Sequence, residues 1–469
     1  MKNEIESKEI NTSRGLAVLC TAAFLVPFMG SAINLALPEI SMAFSMKAVT
    51  LTWMATAYLI STAVFQIPFA RVADLLGRKK IFLLGVFIFS LCTLLCGFAV
   101  SGTFLITLRF LSGIGSAMMF GTNIAIITSM FPPDKRGKAL GINSAVVYAA
   151  LAAGPFLGGM LTHYLGWQSI FFTCAAVGLV VLIGSHFFLK GEWIESKGEK
   201  FDWPGSILYG VGLATLIYGF SNLPHLPGVI CLCSGILILL FFIYYENKST
   251  YPVFNVKLFS GNRVFTLSSL AALINYAATS AIAFMLSLYL QYIRGLDASH
   301  AGIILISQAC VQSAFSLIAG ALSNRYSPSR MATWGMGIIV AGIFGLIFLD
   351  TDTSYWIIVL LLVLLGVGFG IFSSPNTNVI MSSVKKQYYS QASATTGTMR
   401  LTGQAFSMGI AGMAISFYVG NRNITPDLHP AFMQSMKMTF IIFVFLCLIG
   451  VYASSVRNRK SKKIREIEA

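Results

Sequence analysis

The groups able to do chemistry in this 469-residue chain are few, and their placement is unusual. Asp and Glu total 17, and His residues number five. No carboxylate lies inside an apolar run long enough to cross a bilayer; Glu39 stands just beyond the first such run. The runs hold two cations instead, Arg109 and Arg400. An arginine at the bilayer centre costs about 2.5–3.5 kcal/mol on insertion scales, so each must face protein, water or a ligand. Arg109 is at a depth similar to Met29 and Asn34 of the first run. Its expected partner is the Asn34 amide, a carbonyl of the first run, water or an anionic substrate group. The structural alternative is a brace between the first and fourth runs. Arg400 can snorkel toward the interface. Around them stand uncharged polar candidates: Tyr58, Asn123, Asn275, Tyr276, Gln308, Asn376 and Gln404, with Trp53, Gln66, Tyr148, Gln312 and Asn378. This set offers hydrogen bonds without fixed negative charge. It is the chemistry of binding rather than of bond-breaking.

Catalytic and metal constellations are not apparent. All eight cysteines (Cys20, Cys92, Cys96, Cys174, Cys231, Cys233, Cys310 and Cys447) fall in apolar runs, where a disulfide framework is not expected, and no Cys/His cluster has zinc spacing. The histidines, His163, His186, His225, His300 and His429, are scattered. No nucleotide-binding loop appears. Neither a cofactor nor a metal is expected.

The elements that must position these residues follow from composition. The chain is 56% hydrophobic and 10% charged, where a soluble domain carries about a quarter of its residues as charged groups. Mean hydropathy is +0.77. The apolar residues come in blocks matching the roughly twenty residues a helix needs to cross the hydrocarbon, and lipid forces such blocks to be helices. Spans are predicted at 15–37, 50–70, 81–100, 104–126, 139–162, 168–189, 204–221, 226–245, 264–290, 300–322, 331–349, 356–380, 392–419 and 436–456. The formal net charge of +15 does not point to nucleic acid. With the N-terminus in the cytoplasm, all but six of the 32 Lys and Arg residues fall on the cytoplasmic side. The exceptions are Lys47, Arg294, Arg422 and Lys437 outside, and Arg109 and Arg400 within spans. That is the positive-inside bias. It predicts a multi-pass protein of the cell (plasma or inner) membrane, both termini cytoplasmic. Its partners are the lipid bilayer and a small-molecule substrate, with no nucleic acid.

Five motifs add to this reading. The connection at 70–80, "ARVADLLGRKK", resembles the signature loop of the major facilitator superfamily, G-x-L-a-D-r-x-G-r-k. Asp74, Gly77, Arg78 and Lys79 match; Ala70 and Leu75 depart. Gly77 permits a tight turn, and Asp74 is an anion placed to meet a helix N-terminus or an arginine. In that family the aspartate docks on the start of helix 11 of the opposite half and latches one conformation; here that start is near Gln391–Ala394. "GALSNRYSPSR" (320–330) is its weak echo, with Asn324 at the aspartate position, as parallel-repeat transporters show. "RFLSGIGSA" (109–117) and "FPPDKRGKALG" (131–141) resemble the helix 4 motif and the loop after it. "ALAAGPFLGG" (150–159) resembles the helix 5 antiporter motif, through Gly154, Pro155, Gly158 and Gly159. Ala150, Gly154 and Gly158 form one small-residue stripe that lets a helix approach closely, while Pro155 removes a backbone donor. Gly113, Ala117 and Gly121 form a similar stripe.

The span count narrows the branch. Two runs, 204–221 and 226–245, separate two sets of six. This resembles the fourteen-helix drug:proton antiporter branch, as do "FDWPGSILYG" (201–210), "YPVFNVKLF" (251–259) and "RLTGQAFSMG" (400–409). The resemblance implies an all-α major facilitator fold. A cytoplasmic tail (1–14) would precede a first six-helix bundle (15–190). A linker with two extra helices (191–250), a second bundle (251–456) and a basic tail (457–469) would follow. It also implies a non-enzymatic secondary transporter, functional as a monomer, that exports drugs or lipophilic and amphipathic molecules coupled to a proton gradient. One departure bears on coupling. The branch's helix 1 pattern, D-x-T-x-x-N-x-A-L-P, matches at Asn34, Ala36, Leu37 and Pro38, but Met29 stands where the aspartate belongs. The absent acid favours the alternative of a transporter for one specific, possibly anionic, metabolite. A non-transporting membrane sensor or scaffold is the third class, and the intact helix 5 motif weighs against it.

Overall fold

The computed structural model describes residues 2–468 except 195–197, 224–225, 255, 257–258, 260, 324–325, 385–388 and 421. For 2–11, 133–138, 144, 221, 321, 389–391, 393–394 and 456–468 it describes the backbone alone. The regular elements among the described residues are all helical. Its helices are α1 (Lys2–Phe44), α2 (Ala48–Leu76), α3 (Arg78–Gly97), α4 (Gly102–Met130), α5 (Pro133–Leu165) and α6 (Gln168–Phe188). Next come α7 (Trp203–Ser221) and α8 (Leu226–Glu246). Then follow α9 (Arg263–Ala277), α10 (Ile282–Leu288), α11 (Ala298–Leu322), α12 (Pro328–Leu346), α13 (Tyr355–Ser382), α14 (Tyr389–Tyr418) and α15 (His429–Glu468). Twelve helical segments are long and apolar enough to cross a membrane. The two further predicted spans fall on α7 and α14.

The expected span at 264–290 is present within Arg263–Ile293, but its helix is interrupted. The run at 264–290 is not a single helix: α9 stops at Ala277, α10 starts at Ile282, and a π-helical turn, Tyr289–Ile293, follows. The break lies at Ala-Thr-Ser-Ala (278–281). The Thr279 and Ser280 hydroxyls donate to the carbonyls of Asn275 (2.6 Å) and Tyr276 (2.8 Å). The Ala281 N–H leaves the helix altogether and donates to Ser407 Oγ on α14 at 2.9 Å. Hydroxyl side chains that bond nearby backbone groups compete with the regular ladder in this way.

The packing is repeated. In the first set of six, α1 packs on α5 and α6, α2 on α4, and α3 on α4 and α6. In the second set, α9 packs on α14 and α15, α11 on α13, and α12 on α13 and α15. Position for position this is the same pattern, with α9–α10 in the place of α1. Glycines make the closest crossings in both. A Cβ on Gly85 would stand 2.9 Å from the Gly115 carbonyl, and one on Gly335 would stand 2.8 Å from that of Gly368. The contacts between the sets are paired likewise: α5 packs on α11, and α2 on α14. The extra helices pack on each other, and α7 also lies against α2 and α14. Ile60, Ala63, Val64 and Ile67 of α2, Tyr209, Leu213 and Ile217 of α7, Phe242 of α8, and Leu401 and Ala405 of α14 share one apolar cluster there. Two six-helix bundles flanked by an added pair is the architecture expected from the span count.

Candidate functional site

Hydrogen bonds close the seam between the bundles at the end remote from the Arg71–Lys80 connection. There Ser287 Oγ donates to the Asn34 carbonyl (2.7 Å), and Gln291 Nε2 donates to that of Leu35 (3.3 Å). The Ala48 N–H donates to the Arg422 carbonyl at 2.9 Å. The helix 5 glycines serve both sides of this region. Gly154 and Gly158 face α1: a Cβ on the first would collide with Ser31 Oγ, and one on the second would stand 2.7 Å from Ala32 Cα. Gly159 faces the other bundle, where its Cβ would meet the Ala298 carbonyl. A Cβ on Gly302 would meet the carbonyl of Pro155. The stripe therefore seats a helix of its own bundle, while Gly159 beside it seats a helix of the opposite one.

At mid-depth the seam is polar. Tyr148 on α5 shares a 2.9 Å hydrogen bond with Ser373 on α13. Tyr276, at the last turn of α9, stands near Ser373, Tyr148 and Arg400. The Arg400 guanidinium stands 5.5 Å from the centre of the Phe120 ring on α4. Gln404 follows Arg400 by one turn of α14, so the two share a face. Five helices thus contribute two phenols, a hydroxyl, a guanidinium and a ring to one junction. Sequence reading named Tyr276, Arg400 and Gln404 as substrate or coupling candidates, with Tyr148 among the lining residues. It missed Ser373 and Phe120, since a serine and a phenylalanine in apolar helices carry no distinguishing signal.

The remaining candidates are held within single bundles. Arg109 is buried to 1% exposure. Its partner is on helix 2 and not on helix 1 as expected: Nε donates to the Met54 carbonyl at 3.4 Å, and the guanidinium lies 4.2 Å from the Tyr58 ring centre. Tyr58 OH in turn shares a 2.7 Å bond with Ser116. The reason is the glycine at position 113, which brings α4 so close to α2 that a Cβ there would stand 2.7 Å from the Tyr58 carbonyl. Arg109 Nη1 has no partner among the described residues. Asn123 donates to the Leu19 carbonyl (2.8 Å), a bond from α4 to α1, and Asn376 to the Ser268 carbonyl (3.1 Å), from α13 to α9. These two braces occupy equivalent places in the two bundles. Met29 is a core residue with no exposure. Asn34 meets the opposite bundle through its backbone. Gln308 is half-buried, and its carbonyl stands 2.5 Å from where a Gly366 Cβ would be. Asn275 is wholly buried, and both amide atoms lack partners among the described residues.

At the other end, Gly77 has the positive φ that the turn requires (117°). Asp74 Oδ1 accepts from Arg78 Nε at 2.8 Å, and Arg78 Nη1 reaches Ser129 Oγ at 2.9 Å. The expected docking partner of Asp74 involves Gln391, Ser393 and Ala394, whose side chains lie outside the described residues. So do Asn324 and Arg325 of the echo loop and the side chains of 133–138. An unforeseen partner is Glu192, beyond α6. Its Oε1 accepts from the Lys79 N–H at 2.8 Å, capping the first turn of α3, while the Arg78 N–H donates to the Trp193 carbonyl at 3.0 Å. Arg71 pairs with Glu199 of the same stretch.

Comparison with known proteins decides the family. The model of the Major Facilitator Superfamily matches residues 19–408 and 268–469. The chain belongs to the Major Facilitator Superfamily. Among relatives of this superfamily, the riboflavin transporter RibZ of Clostridioides difficile (strain 630) is 26% identical, covering 96% of this chain and 98% of that protein. The methylenomycin A resistance protein of Bacillus subtilis (strain 168) is 26% identical, covering 88% and 91%. A bacterial homologue of the human lysosomal transporter Spinster, solved in an inward-facing and unoccupied conformation, superposes with a TM-score of 0.71. It has 19% identity and covers 96% of this chain and 97% of its own. That likeness is one of fold. The major facilitator architecture expected from the sequence is therefore the architecture of the chain, and its bilayer-spanning helices make it a multi-pass membrane protein.

Proposed function

We propose that the protein is a secondary transporter that works by alternating access and exports aromatic or amphipathic small molecules, neutral or anionic rather than cationic, coupled to a proton gradient. The observation that carries this reading is the seam cluster of Tyr148, Tyr276, Ser373 and Arg400. It presents hydrogen-bonding groups and one positive charge where the two bundles meet, with no carboxylate paired to Arg400 among the described residues. An uncompensated guanidinium in a low-dielectric site disfavours cations and favours anions. The bonds of Asn34, Leu35 and Ala48 to the second bundle fit a state sealed on the outer face. The basic Arg71–Lys80 end is then cytoplasmic and both termini inside. We assign Asp74, Gly77, Arg78 and Lys79 to a cytoplasmic latch, and Gly154, Pro155, Gly158 and Gly159 to the moving seam. The bundle limits at 15–190 and 251–456 and monomeric function belong to the same reading.

Transport of one specific metabolite is the second reading. It is favoured by a riboflavin transporter that aligns over nearly the whole of both chains. In either case Arg400 is the group to test. Purified protein in liposomes with an imposed proton gradient should move an anionic or neutral dye and discriminate against a cationic dye of the same scaffold. Arg400→Gln should lower anionic-dye transport by about tenfold, equivalent to about 1.4 kcal/mol, and leave neutral-dye transport within a few-fold. Brisk transport of a permanent cation, unchanged in Arg400→Gln, would rule the assignment out.

A further inference from the structure

Carboxylates are scarce among the described spanning helices, Glu39 near the end of α1 being one, and two more are buried where the extra helices meet the charged end. Asp202 is 7% exposed and Glu246, the last residue of α8, is 4% exposed. Asp202 caps α7: Oδ1 accepts from the Gly205 N–H (2.9 Å) and from Tyr245 OH (3.3 Å), and Oδ2 from Ser249 Oγ (3.1 Å). Glu246 Oε1 accepts from the Val253 N–H at 3.3 Å. Its Oε2 is buried without a partner among the described residues. Gly205 brings the two acids together. Asp202 Oδ2 and Glu246 Oε1 each stand 2.7 Å from the point that a Cβ on residue 205 would occupy, so they are no further apart than twice that distance.

Among the described residues no cation pairs with either acid. Lys200, Tyr245, Lys248 and Tyr251 line a cleft of about 390 Å³ beside Asp202. Neither lysine forms an ion pair with either acid among the described residues. Lys248 Nζ bonds Tyr244 OH at 2.6 Å and lies over that ring. Glu199 is engaged by Arg71. The Tyr209 hydroxyl, on the next turns of α7, is turned away to the Ala63 carbonyl at 3.0 Å. Two buried like charges at this separation cannot both be ionised at ordinary cost. Glu246, with a bare buried oxygen beside a second carboxylate, is suited to the acid form.

We propose that Asp202 and Glu246 form a proton-binding site, with the proton on Glu246 Oε2. It closes the junction of α7, α8 and the 249–253 segment that leads to the second bundle. The site is separate from the seam cluster and does not depend on the transport reading. Loss of the proton places a second negative charge in the junction and loosens it. Because the proton is held more tightly in the folded protein than by an unfolded carboxylate, its contribution to stability is present at acid pH and is lost as pH rises through the folded pair's titration.

Two measurements on the full-length protein in detergent test this. Infrared spectra of the native protein at neutral pH should contain a protonated carboxylic-acid band that fades on raising the pH and is missing from Glu246→Gln. Thermal unfolding of the native protein should drop by a few degrees from mildly acid to mildly alkaline pH. Glu246→Gln, which keeps the shape of the protonated acid, should be flat over the same range and match the native protein at its acid end. An unchanged pH slope in Glu246→Gln, or a native spectrum without the band, overturns the proposal. Stabilisation of the native protein at alkaline pH by sodium or calcium over choline at equal ionic strength, lost in Glu246→Gln, would assign the site to a metal cation instead and likewise overturn it.

Discussion

The two bundles of this protein share a packing pattern but not a stiffness. In the first, α1 runs without a break from Lys2 to Phe44, in spite of Pro27 and Pro38. Beside it Arg109 is wedged between the Met54 carbonyl and the Tyr58 ring. In the second, the equivalent helix is split at Ala278–Ala281, and its loose N–H is tied to Ser407. The asparagine braces and the reciprocal glycine crossings are common to both. The repeat thus conserves the contacts that hold helices together, and the difference lies in the helix that bears on the seam. Tyr276 sits on the last turn before the break, so bending there moves a seam residue directly.

The comparison breaks most visibly at the glycine crossings. A Cβ on Gly115 would stand 2.5 Å from the Phe89 backbone nitrogen, whereas one on Gly368 would first meet the Ile339 side chain, at 2.7 Å. Overpacking costs about 1–3 kcal/mol and sometimes more, and backbone yields less than a side chain. Gly115→Val should therefore lose most of the folded protein, at about 3 kcal/mol or more, and Gly368→Val less. Thermal unfolding in detergent with size-exclusion yield measures both. A larger loss at Gly368 would reverse the ranking of stiffness.

A middling effect is expected at the break. Ser407→Ala leaves the Ala281 N–H without its acceptor, and an unsatisfied buried donor costs about 1–3 kcal/mol. Hydrogen exchange should accelerate across 278–282 and stay unchanged in α1. Exchange that slows at the break would mean that the split helix has straightened, so the serine holds it open.

The smallest pair of effects sharpens the comparison. Asn123→Leu and Asn376→Leu each delete the interhelical hydrogen bond described above, such a bond being worth about 0.6–1.7 kcal/mol in a membrane protein. Their stability losses should be alike, because the bonds are equivalent. Transport should suffer more in Asn376→Leu, since its acceptor, Ser268, lies on the helix that leads into the break. Equal losses of transport would remove the functional distinction between the bundles.

Much of the architecture was legible in advance because lipid leaves the backbone one solution. A run such as 81–100, with no charge over the length of the hydrocarbon, has to be a helix, and α3 occupies that place. The Gly77 turn was equally legible, since a charged connection between two spans has little room except for a tight reversal. The break at 278–281 was not: Thr and Ser are ordinary within spanning helices, and nothing local marks Ala281 as the residue whose N–H finds Ser407, 126 positions later. Glu192 was missed for the same reason, being 113 positions from the Lys79 N–H it caps.

Sequence alone determined the membrane-spanning class, the likeness of the two sets of six and the short supply of carboxylates. These are properties of composition and of order along the chain, which folding does not alter. Tertiary structure decided which polar groups meet. Arg109 turned to helix 2 and away from helix 1 because Gly113 sets the depth of that crossing. Tyr148, Tyr276, Ser373 and Arg400 became one cluster because four helices from two bundles converge there. Asp202 and Glu246 became a buried pair because a missing side chain at Gly205 let α8 close on the start of α7. Contact between residues so distant in sequence is fixed by the rotation and approach of packed helices, and local propensity carries no record of either.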